Sequence, residues 1–190
     1  MVQRCEWANY SAQMKEYHDK EWGVPQHDDL ILFEFLILEG MQAGLSWNTI
    51  LNKRENFKEA FDGFNYYKIA EYGEDKIEEL LENKGIIRNK LKISSVVTNA
   101  KAFIKIIEEF GSFNKYIWDL VENKPIHNIY YSLNELPSNT ELSDKMSKDL
   151  KTRGFKFVGS TIIYAFMQAV GLVNDHLIDC FRYKEIKNID

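Results

Sequence analysis

The most apolar stretch of this 190-residue chain, LILFEFLILEGMQAG at residues 30–44, carries hydrophobic side chains on almost every face of a helix. A helix that is apolar all round belongs in a protein core. Its longest apolar run, at residues 31–38, is interrupted by Glu34 and falls short of the ~18 residues that a membrane span requires. Helical periodicity also dominates the rest of the chain, and strand alternation is scarce. The sequence therefore predicts an all-α fold with no membrane segment.

Capping residues and glycines divide the chain into helices. Asp28 or Asp29 is expected to begin the buried helix. The other predicted helices are 47–61 after Ser46, 74–83, 89–110 before Gly111, 112–121, 143–153 before Gly154, and 160–172. Residues 123–140 contain Pro125 and Pro137 and are predicted to be a loop.

Charge is distributed unevenly along the chain. The content of 45% hydrophobic and 28% charged residues excludes a disordered protein, and the net charge of -5 argues against nucleic-acid binding as a global property. Residues 71–82 sum to -5, whereas residues 84–101 sum to +5 and residues 145–157 to +4. Because salt screens exposed charges beyond ~8–10 Å, such local basic segments decide contact with a polyanion. They are either solvated helix faces or a nucleic-acid surface.

Two cysteines and two histidines lie near the two ends of the chain. His176 and Cys180 are four residues apart, which on a helix places them on one face. Cys5 and His18 lie near the other terminus. Two Cys and two His form a ligand set typical of tetrahedral Zn²⁺. The alternatives are four unrelated buried residues or a Cys5–Cys180 disulfide, which a reducing compartment disfavours.

The segment LENKGIIRNKLKI at residues 81–93 predicts a helix end, a turn at Gly85, and the start of a second helix. Free amides at a helix N-terminus bind phosphate. Three basic residues lie close in sequence to the N-terminus of this second helix, namely Arg88, Lys90 and Lys92. The pattern is typical of a helix-hairpin-helix that grips the DNA backbone. A plain turn between two helices is equally compatible with the spacing.

A carboxylate and several large aromatic residues suggest a ligand pocket. Glu39 ends the most apolar helix, where burial without a partner would be costly. The aromatic candidates are Trp7, Tyr17, Trp22 and Trp47. Aromatic faces with one carboxylate suit a flat cationic ring. Packing in the core is the competing interpretation of the same residues.

Seven blocks of the chain together resemble one known family, the DNA-3-methyladenine glycosylase I family of helix-hairpin-helix glycosylases. They are RCEW (4–7), YHDKEWGVP (17–25), LEGMQAGLSW (38–47), KRENF (53–57), GIIRNKLKI (85–93), RGFKFVGSTI (153–162) and MQAVGLVNDH (167–176). The blocks span nearly the whole chain in the family's order.

The resemblance implies one glycosylase domain over residues 1–190. Its fold would be an all-α bilobal bundle with the helix-hairpin-helix in a lobe of about residues 30–130. Residues 1–29 and 131–190 would form the second lobe, in which one structural Zn²⁺ per chain ties the termini together. The implied reaction is hydrolysis of the N-glycosidic bond of 3-methyladenine in alkylated double-stranded DNA, by base flipping and without strand cleavage.

Individual roles also follow from the resemblance. Glu39 would contact the adenine edge and act in catalysis, with Trp47 as the stacking partner and Trp7, Tyr17 and Trp22 as further walls. Leu45 would lie near the gap left by the extruded base, while Gly85, Arg88, Lys90 and Lys92 would contact DNA. The implied zinc ligands are Cys5, His18, His176 and Cys180.

Two departures accompany the resemblance. Met14 stands where family members can carry a further pocket tyrosine, and residues 104–109 lack the aspartate of the broader superfamily, as this family does.

The expected product is free 3-methyladenine, released by a cytoplasmic monomer with no membrane partner. The alternatives are a non-catalytic sensor of alkylated bases or free purines, a zinc-stapled module for protein interaction, and a glycosylase that acts on a different range of lesions.

Overall fold

The computed structural model describes residues 2–189, and α-helices make up most of them. In chain order they are α1 (Ala12–Lys20), α2 (Asp29–Gln42), α3 (Trp47–Ala60), α4 (Tyr66–Ala70), α5 (Glu74–Glu82), α6 (Lys90–Phe110), α7 (Phe113–Trp118), α8 (Glu141–Thr152), α9 (Ser160–Ala169) and α10 (Phe181–Lys187). Short 3₁₀ turns lie at Glu6–Tyr10, Asp62–Phe64, Asp119–Val121 and Leu133–Glu135. Within this part of the chain, each helix is too short or too polar to cross a bilayer.

The apolar segment forms α2, the central helix of the core. The Asp28 side chain caps it by accepting hydrogen bonds from the backbone N–H groups of Leu30 and Ile31 at 2.8 and 3.2 Å. Nine residues of α2 are buried, and the helix packs against α3, α6, α7 and α9. The all-round apolar pattern therefore predicted the buried helix correctly.

Most predicted helix ends agree with the structure. Ser46 caps α3, Asn89 caps α6, and Gly111 ends α6 in the left-handed conformation with φ of 92°. By contrast, α8 begins two residues before the predicted Ser143, because Thr140 and Ser143 form a reciprocal capping box.

The predicted loop 123–140 contains one short strand. β1 (Ile126–His127) pairs in parallel with β2 (Val173–Asn174), so the fold is mostly helical rather than strictly all-α. Two-residue strands are too short to produce an alternating sequence pattern, which is why the sequence does not predict them.

A close backbone crossing joins the end of α9 to the loop after α1. Gly23 N–H donates to the Gln168 carbonyl, and Gln26 N–H donates to the Val170 carbonyl, both at 3.0 Å. A Cβ atom on Gly171 would lie 2.5 Å from the backbone at Val24 and Pro25. Only glycine allows this approach, which fixes the loop that carries Trp22.

Candidate functional site

A cavity of about 300 Å³ lies between α1, α2, the start of α3 and α9. It contains every aromatic residue predicted for the pocket, together with Glu39. Its lining residues are Trp7, Met14, Tyr17, Trp22, Glu39, Gln42, Trp47, Leu136, Ala165 and Gln168. Four of these residues were not predicted from the sequence, namely Gln42, Leu136, Ala165 and Gln168. Of these four, only Gln42 is close in sequence to predicted pocket residues, because the other three belong to segments far from α2 along the chain.

The aromatic side chains form a tilted set of rings around the cavity. The Tyr17 and Trp47 ring centroids are 5.4 Å apart at 49°, and those of Trp7 and Trp22 are 5.0 Å apart at 81°. Tyr17 is 3% exposed, and burial raises the pKa of its hydroxyl well above the usual value. These rings therefore pack against the core and line the cavity at once, so the two interpretations of the sequence are compatible.

Glu39 is the acidic residue of the pocket lining, and it is only 4% exposed. Among residues 2–189, none donates a hydrogen bond to its carboxyl group or forms an ion pair with it. Burial raises the pKa of Glu39 to about 8. An unpaired buried carboxylate costs free energy, and such groups are typical of sites where a ligand supplies the missing partner.

Trp47 contributes a second unsatisfied polar group. Its indole Nε1 is buried and lacks a hydrogen-bond partner within the described part of the chain. Buried indole N–H groups usually find an acceptor. Two residues that line the pocket, Trp47 and Glu39, thus carry polar groups without a hydrogen-bond partner among the described residues.

A groove of about 250 Å³ adjoins the pocket and shares Glu39, Gln42 and Ala165 with it. Its other walls are the turn between α2 and α3 and the first turn of α9. Gly44 forms the turn with φ of 79°, and Leu45 lies beside it at 41% exposure. Glu39 therefore lies where the enclosed pocket meets a groove whose wall includes the predicted DNA-facing leucine.

The four predicted metal ligands converge in a second buried cluster. The donor atoms of Cys5, His18, His176 and Cys180 all lie within 4.8 Å of one another. Cys180 Sγ is 3.4 Å from His18 Nε2 and 3.6 Å from His176 Nδ1, and Cys5 Sγ is 3.8 Å from His176 Nδ1. Both cysteines are free thiols rather than a disulfide.

The spacing of His176 and Cys180 predicted that they share one face of a helix, but the structure differs. Residues 175–180 form turns after β2, and Cys180 is the N-cap residue of α10. The turn brings the two side chains together because the chain folds back over Cys5, whose Sγ accepts the Leu177 N–H at 3.5 Å.

The outward-facing histidine nitrogens of the cluster have partners. His18 Nδ1 lies 2.8 Å from Asp19, which in turn accepts two hydrogen bonds from Arg4 Nε and Nη2 at 2.9 and 2.8 Å. His176 Nε2 lies 2.9 Å from the Trp22 carbonyl. These partners direct the protons outward and leave the inward nitrogens free to bind a metal ion. Hydrogen bonding with Cys5 and the two histidines lowers the pKa of the Cys180 thiol.

The segment 81–93 joins α5 to α6 through a tight turn. Lys53 Nζ and Asn56 Nδ2 of α3 donate to the Gly85 carbonyl at 3.1 and 3.2 Å. A Cβ atom on Gly85 would lie 3.0 Å from Asn83 Oδ1 and 3.2 Å from Asn56, so glycine suits this close approach. Arg88 and Lys90 are exposed beside the N-terminus of α6, where the sequence predicted a phosphate-binding surface.

Lys92 is not exposed at the surface, as its predicted contact with DNA would require. Its side chain is buried, and Nζ donates to the carbonyl oxygens of Met41 and Ala43 at 2.8 and 2.6 Å. It therefore caps the C-terminal end of α2, where a cation is favourable. Lys92 is thus not one of the exposed basic side chains at the start of α6. Burial lowers the pKa of this ammonium group.

Comparison with known proteins identifies the family. Residues 7–183 match the family model described as methyladenine glycosylase. The chain belongs to this family. DNA-3-methyladenine glycosylase 1 of Escherichia coli K12 is 45% identical over 182 residues, which cover 96% of this chain and 97% of that protein. A DNA-3-methyladenine glycosylase of Haemophilus influenzae is 47% identical over 180 residues, covering 95% of this chain and 97% of that protein.

Solved structures of family members share the fold. One of them, a variant of 3-methyladenine DNA glycosylase I in complex with 3-methyladenine, superposes with a TM-score of 0.91 at 35% identity. That match covers 94% of this chain and 96% of the solved chain. This chain therefore shares its helical fold with solved 3-methyladenine DNA glycosylases.

Proposed function

We propose that this protein is a base-excision repair glycosylase that hydrolyses the N-glycosidic bond of 3-methyladenine in alkylated DNA. The observation that carries the proposal is Glu39, a buried carboxylate without a protein partner inside a pocket of aromatic rings. The names of the E. coli and H. influenzae relatives support the same substrate.

The pocket suits the charge of this lesion. Adenine methylated at N3 is cationic while attached to the sugar and leaves as a neutral base, so its glycosidic bond needs less activation than a normal one. A cation over Trp47 and Tyr17 gains up to ~2 kcal/mol when it is desolvated. A cation in the pocket also favours the ionised form of Glu39, whose pKa is about 8 without one. Binding therefore selects charge as well as shape.

The position of Glu39 between pocket and groove suggests its part in catalysis. We assign the pocket to the extruded base and the groove to its sugar, so that the carboxylate lies near the bond that breaks. As the electrons of that bond move onto the base nitrogen, positive charge develops on the sugar. A water oxygen then bonds to the anomeric carbon and releases one proton to the solvent, which leaves a hydroxyl group on the sugar. A nearby carboxylate stabilises that developing charge.

The exposed basic turn supplies the grip on DNA in this proposal. Free amides at the start of α6, with Gly85, Arg88 and Lys90 beside them, suit a phosphate of the backbone irrespective of sequence. Leu45 fills the space of the extruded base, and extrusion costs a few kcal/mol, least for a damaged base. Among the described residues, lysines are absent from the pocket lining, which supports hydrolysis without strand cleavage.

We further propose that the Cys5, His18, His176 and Cys180 cluster binds one structural Zn²⁺. A tetrahedral zinc ion bound by sulfur at ~2.3 Å and nitrogen at ~2.0 Å separates its ligands by roughly 3.3–3.8 Å. The three sulfur–nitrogen distances of 3.4, 3.6 and 3.8 Å lie in this range. With four protein ligands, the ion would hold the chain ends together and take no part in the reaction.

The proposed architecture has two lobes, a hairpin-containing lobe of residues 30–130 and a zinc lobe of residues 1–29 plus 131–190. Backbone hydrogen bonds from Gly23 and Gln26 to the end of α9, and from Phe181 to Gln3, support the second lobe. We propose that the enzyme acts as a monomer in the cytoplasm, where its two free thiols would stay reduced.

Release of bases from methylated DNA tests the function. Purified protein is incubated with DNA treated with a methylating agent, and the released bases are separated by chromatography. Free 3-methyladenine, with the DNA strands still intact, is the expected result. Binding of the DNA without base release would instead identify a sensor, and strand breaks at neutral pH would contradict the hydrolytic reaction.

A further inference from the structure

One wall of the pocket contains a polar network that the proposed chemistry does not use. Asp175 follows β2 and is 1% exposed. Its Oδ1 accepts a hydrogen bond from Asn128 Nδ2 at 2.7 Å. Its Oδ2 accepts two, from the Tyr164 hydroxyl at 2.5 Å and from Gln168 Nε2 at 2.8 Å. Gln168 is the member of this network that lines the pocket, to which α9 contributes Gln168 and α2 contributes Glu39.

The carboxylate of Asp175 fixes which end of the Gln168 amide is free. A glutamine amide can donate through nitrogen or accept through oxygen, and rotation by 180° exchanges the two. Here, rotation would bring Gln168 Oε1 against Asp175 Oδ2, so that two acceptors would face each other. The nitrogen therefore stays on Asp175. Within residues 2–189, Gln168 Oε1 has no hydrogen-bond donor.

A hydrogen-bond acceptor of fixed orientation can distinguish adenine from guanine. In a nucleotide of 3-methyladenine, the exocyclic amine at position 6 carries the base's only N–H donors. Guanine in the same orientation presents a carbonyl oxygen at this position. An acceptor that cannot rotate binds the amine and repels the carbonyl, and a site with an unmatched buried polar group discriminates strongly.

We infer that Gln168 is a specificity-determining residue, which accepts a hydrogen bond from the 6-amino group of the bound base, and that Asp175 is its positioning residue. The inference rests on the proposed function. Asp175 acts only through the orientation of the Gln168 amide.

The test compares two free bases on the intact, metal-loaded protein. 3-Methyladenine and 3-methylguanine are titrated separately, and the intrinsic fluorescence of the pocket tryptophans reports binding. The wild-type protein is expected to prefer 3-methyladenine. Gln168→Met keeps the length of the side chain but lacks the amide, and it should lower the ratio of the two affinities about tenfold, as expected for one neutral hydrogen bond.

Asp175→Asn separates orientation from contact. Its amide can donate as well as accept, so Gln168 becomes free to present either end and the preference should fall although Gln168 is intact. Gln13→Met, at an exposed position of α1, is the matched control and should keep the wild-type ratio. Because Asp175 precedes His176, the metal content of each variant is measured alongside.

The outcomes separate this inference from the proposed function. A purely structural role would weaken binding of both bases equally and leave the ratio unchanged in both variants, which would overturn the inference. A wild-type protein that binds both bases equally would overturn it as well, while leaving base binding intact. Failure of the wild type to bind either base would contradict the proposed function itself. If Asp175→Asn does not fold, the ratio for Gln168→Met decides.

Discussion

Two buried polar sites lie side by side, the pocket around Glu39 and the cluster around Cys180. Consecutive residues of α1 serve both, since Tyr17 lines the pocket and His18 belongs to the cluster. In the cluster, each donor atom faces another one, and the outward histidine nitrogens have partners. In the pocket, the Glu39 carboxylate and the Trp47 indole have none among the described residues.

This difference distinguishes a group that stabilises the fold from a group that is destabilising until a ligand arrives. Polar groups that converge on one another can share a metal ion and gain free energy at folding. Polar groups left unpaired in a cavity cost free energy at folding and recover it only on binding. The comparison therefore predicts opposite effects of substitution: loss of stability at the cluster, but gain of stability with loss of activity in the pocket.

The largest effect is expected at the cluster. Cys180→Ser should abolish stoichiometric zinc binding and lower the free energy of unfolding by about 5 kcal/mol, because three remaining ligands hold the ion poorly. Metal analysis and urea denaturation measure both quantities. His27→Ala, at an exposed histidine outside the cluster, is the control and should retain one zinc ion per chain. A Cys180→Ser protein of wild-type stability would show that the cluster is not a metal site.

The burial of Glu39 in the pocket should make the free energy of unfolding depend on pH. The folded protein keeps a proton on Glu39 up to about pH 8, whereas the unfolded chain loses it near the ordinary pKa of 4.5. Between these values the folded state binds more protons, so the free energy of unfolding falls as pH rises. At ~1.4 kcal/mol per pKa unit, the decline reaches at most about 5 kcal/mol. Urea denaturation at several pH values measures it.

Glu39→Gln provides the matched reference for that decline. The amide does not titrate, so the difference between the two stability curves isolates Glu39 from all other groups. We expect the variant to match the wild type near pH 4.5 and to exceed it above pH 8. Parallel curves across this interval would contradict the burial-driven pKa shift.

The same substitution should lower base release about 100-fold, which corresponds to ~3 kcal/mol of lost transition-state stabilisation. Single-turnover release of 3-methyladenine from methylated DNA measures it, with Glu16→Gln on the exposed surface of α1 as the control. Together with the stability curves, this result would show that Glu39 gives up stability in favour of activity. An unchanged rate would remove Glu39 from the reaction.

The smallest effect is expected at the surface, where neither kind of buried site applies. Lys90→Ala should weaken DNA binding several-fold for every sequence and reduce the salt dependence by about one counterion. Lys187→Ala, on α10, should leave both unchanged. Fluorescence anisotropy over a range of salt concentrations measures the slope, and a loss confined to one sequence would contradict a backbone contact.

The parts of the molecule that depend on local sequence pattern could be predicted from the sequence. The apolar segment of α2, its Asp28 cap and the Gly111 end of α6 follow from periodicity and capping chemistry, and all three are confirmed. The residues of the pocket came from residue type and resemblance together, because composition alone favoured packing in the core for the aromatic residues.

The remaining features depend on contacts between distant segments. The Lys92 ammonium reaches a carbonyl 51 residues away, and its neighbours in sequence gave no reason to separate it from the exposed lysines. Gln168 is indistinguishable from any other helical glutamine until Asp175 lies against it. His176 and Cys180 matched a helical spacing, yet a turn brings them together, since side-chain spacing alone does not specify backbone conformation.

The Lys92 contact has a mechanical consequence. Its two hydrogen bonds join the first turn of α6 to the end of α2, and so connect the basic turn to the turn that carries the exposed Leu45. In the proposed complex with DNA, a duplex that contacts Leu45 and the basic turn together would have to adapt its curvature to the separation between them. Bending of the duplex would then accompany binding, before any base is extruded.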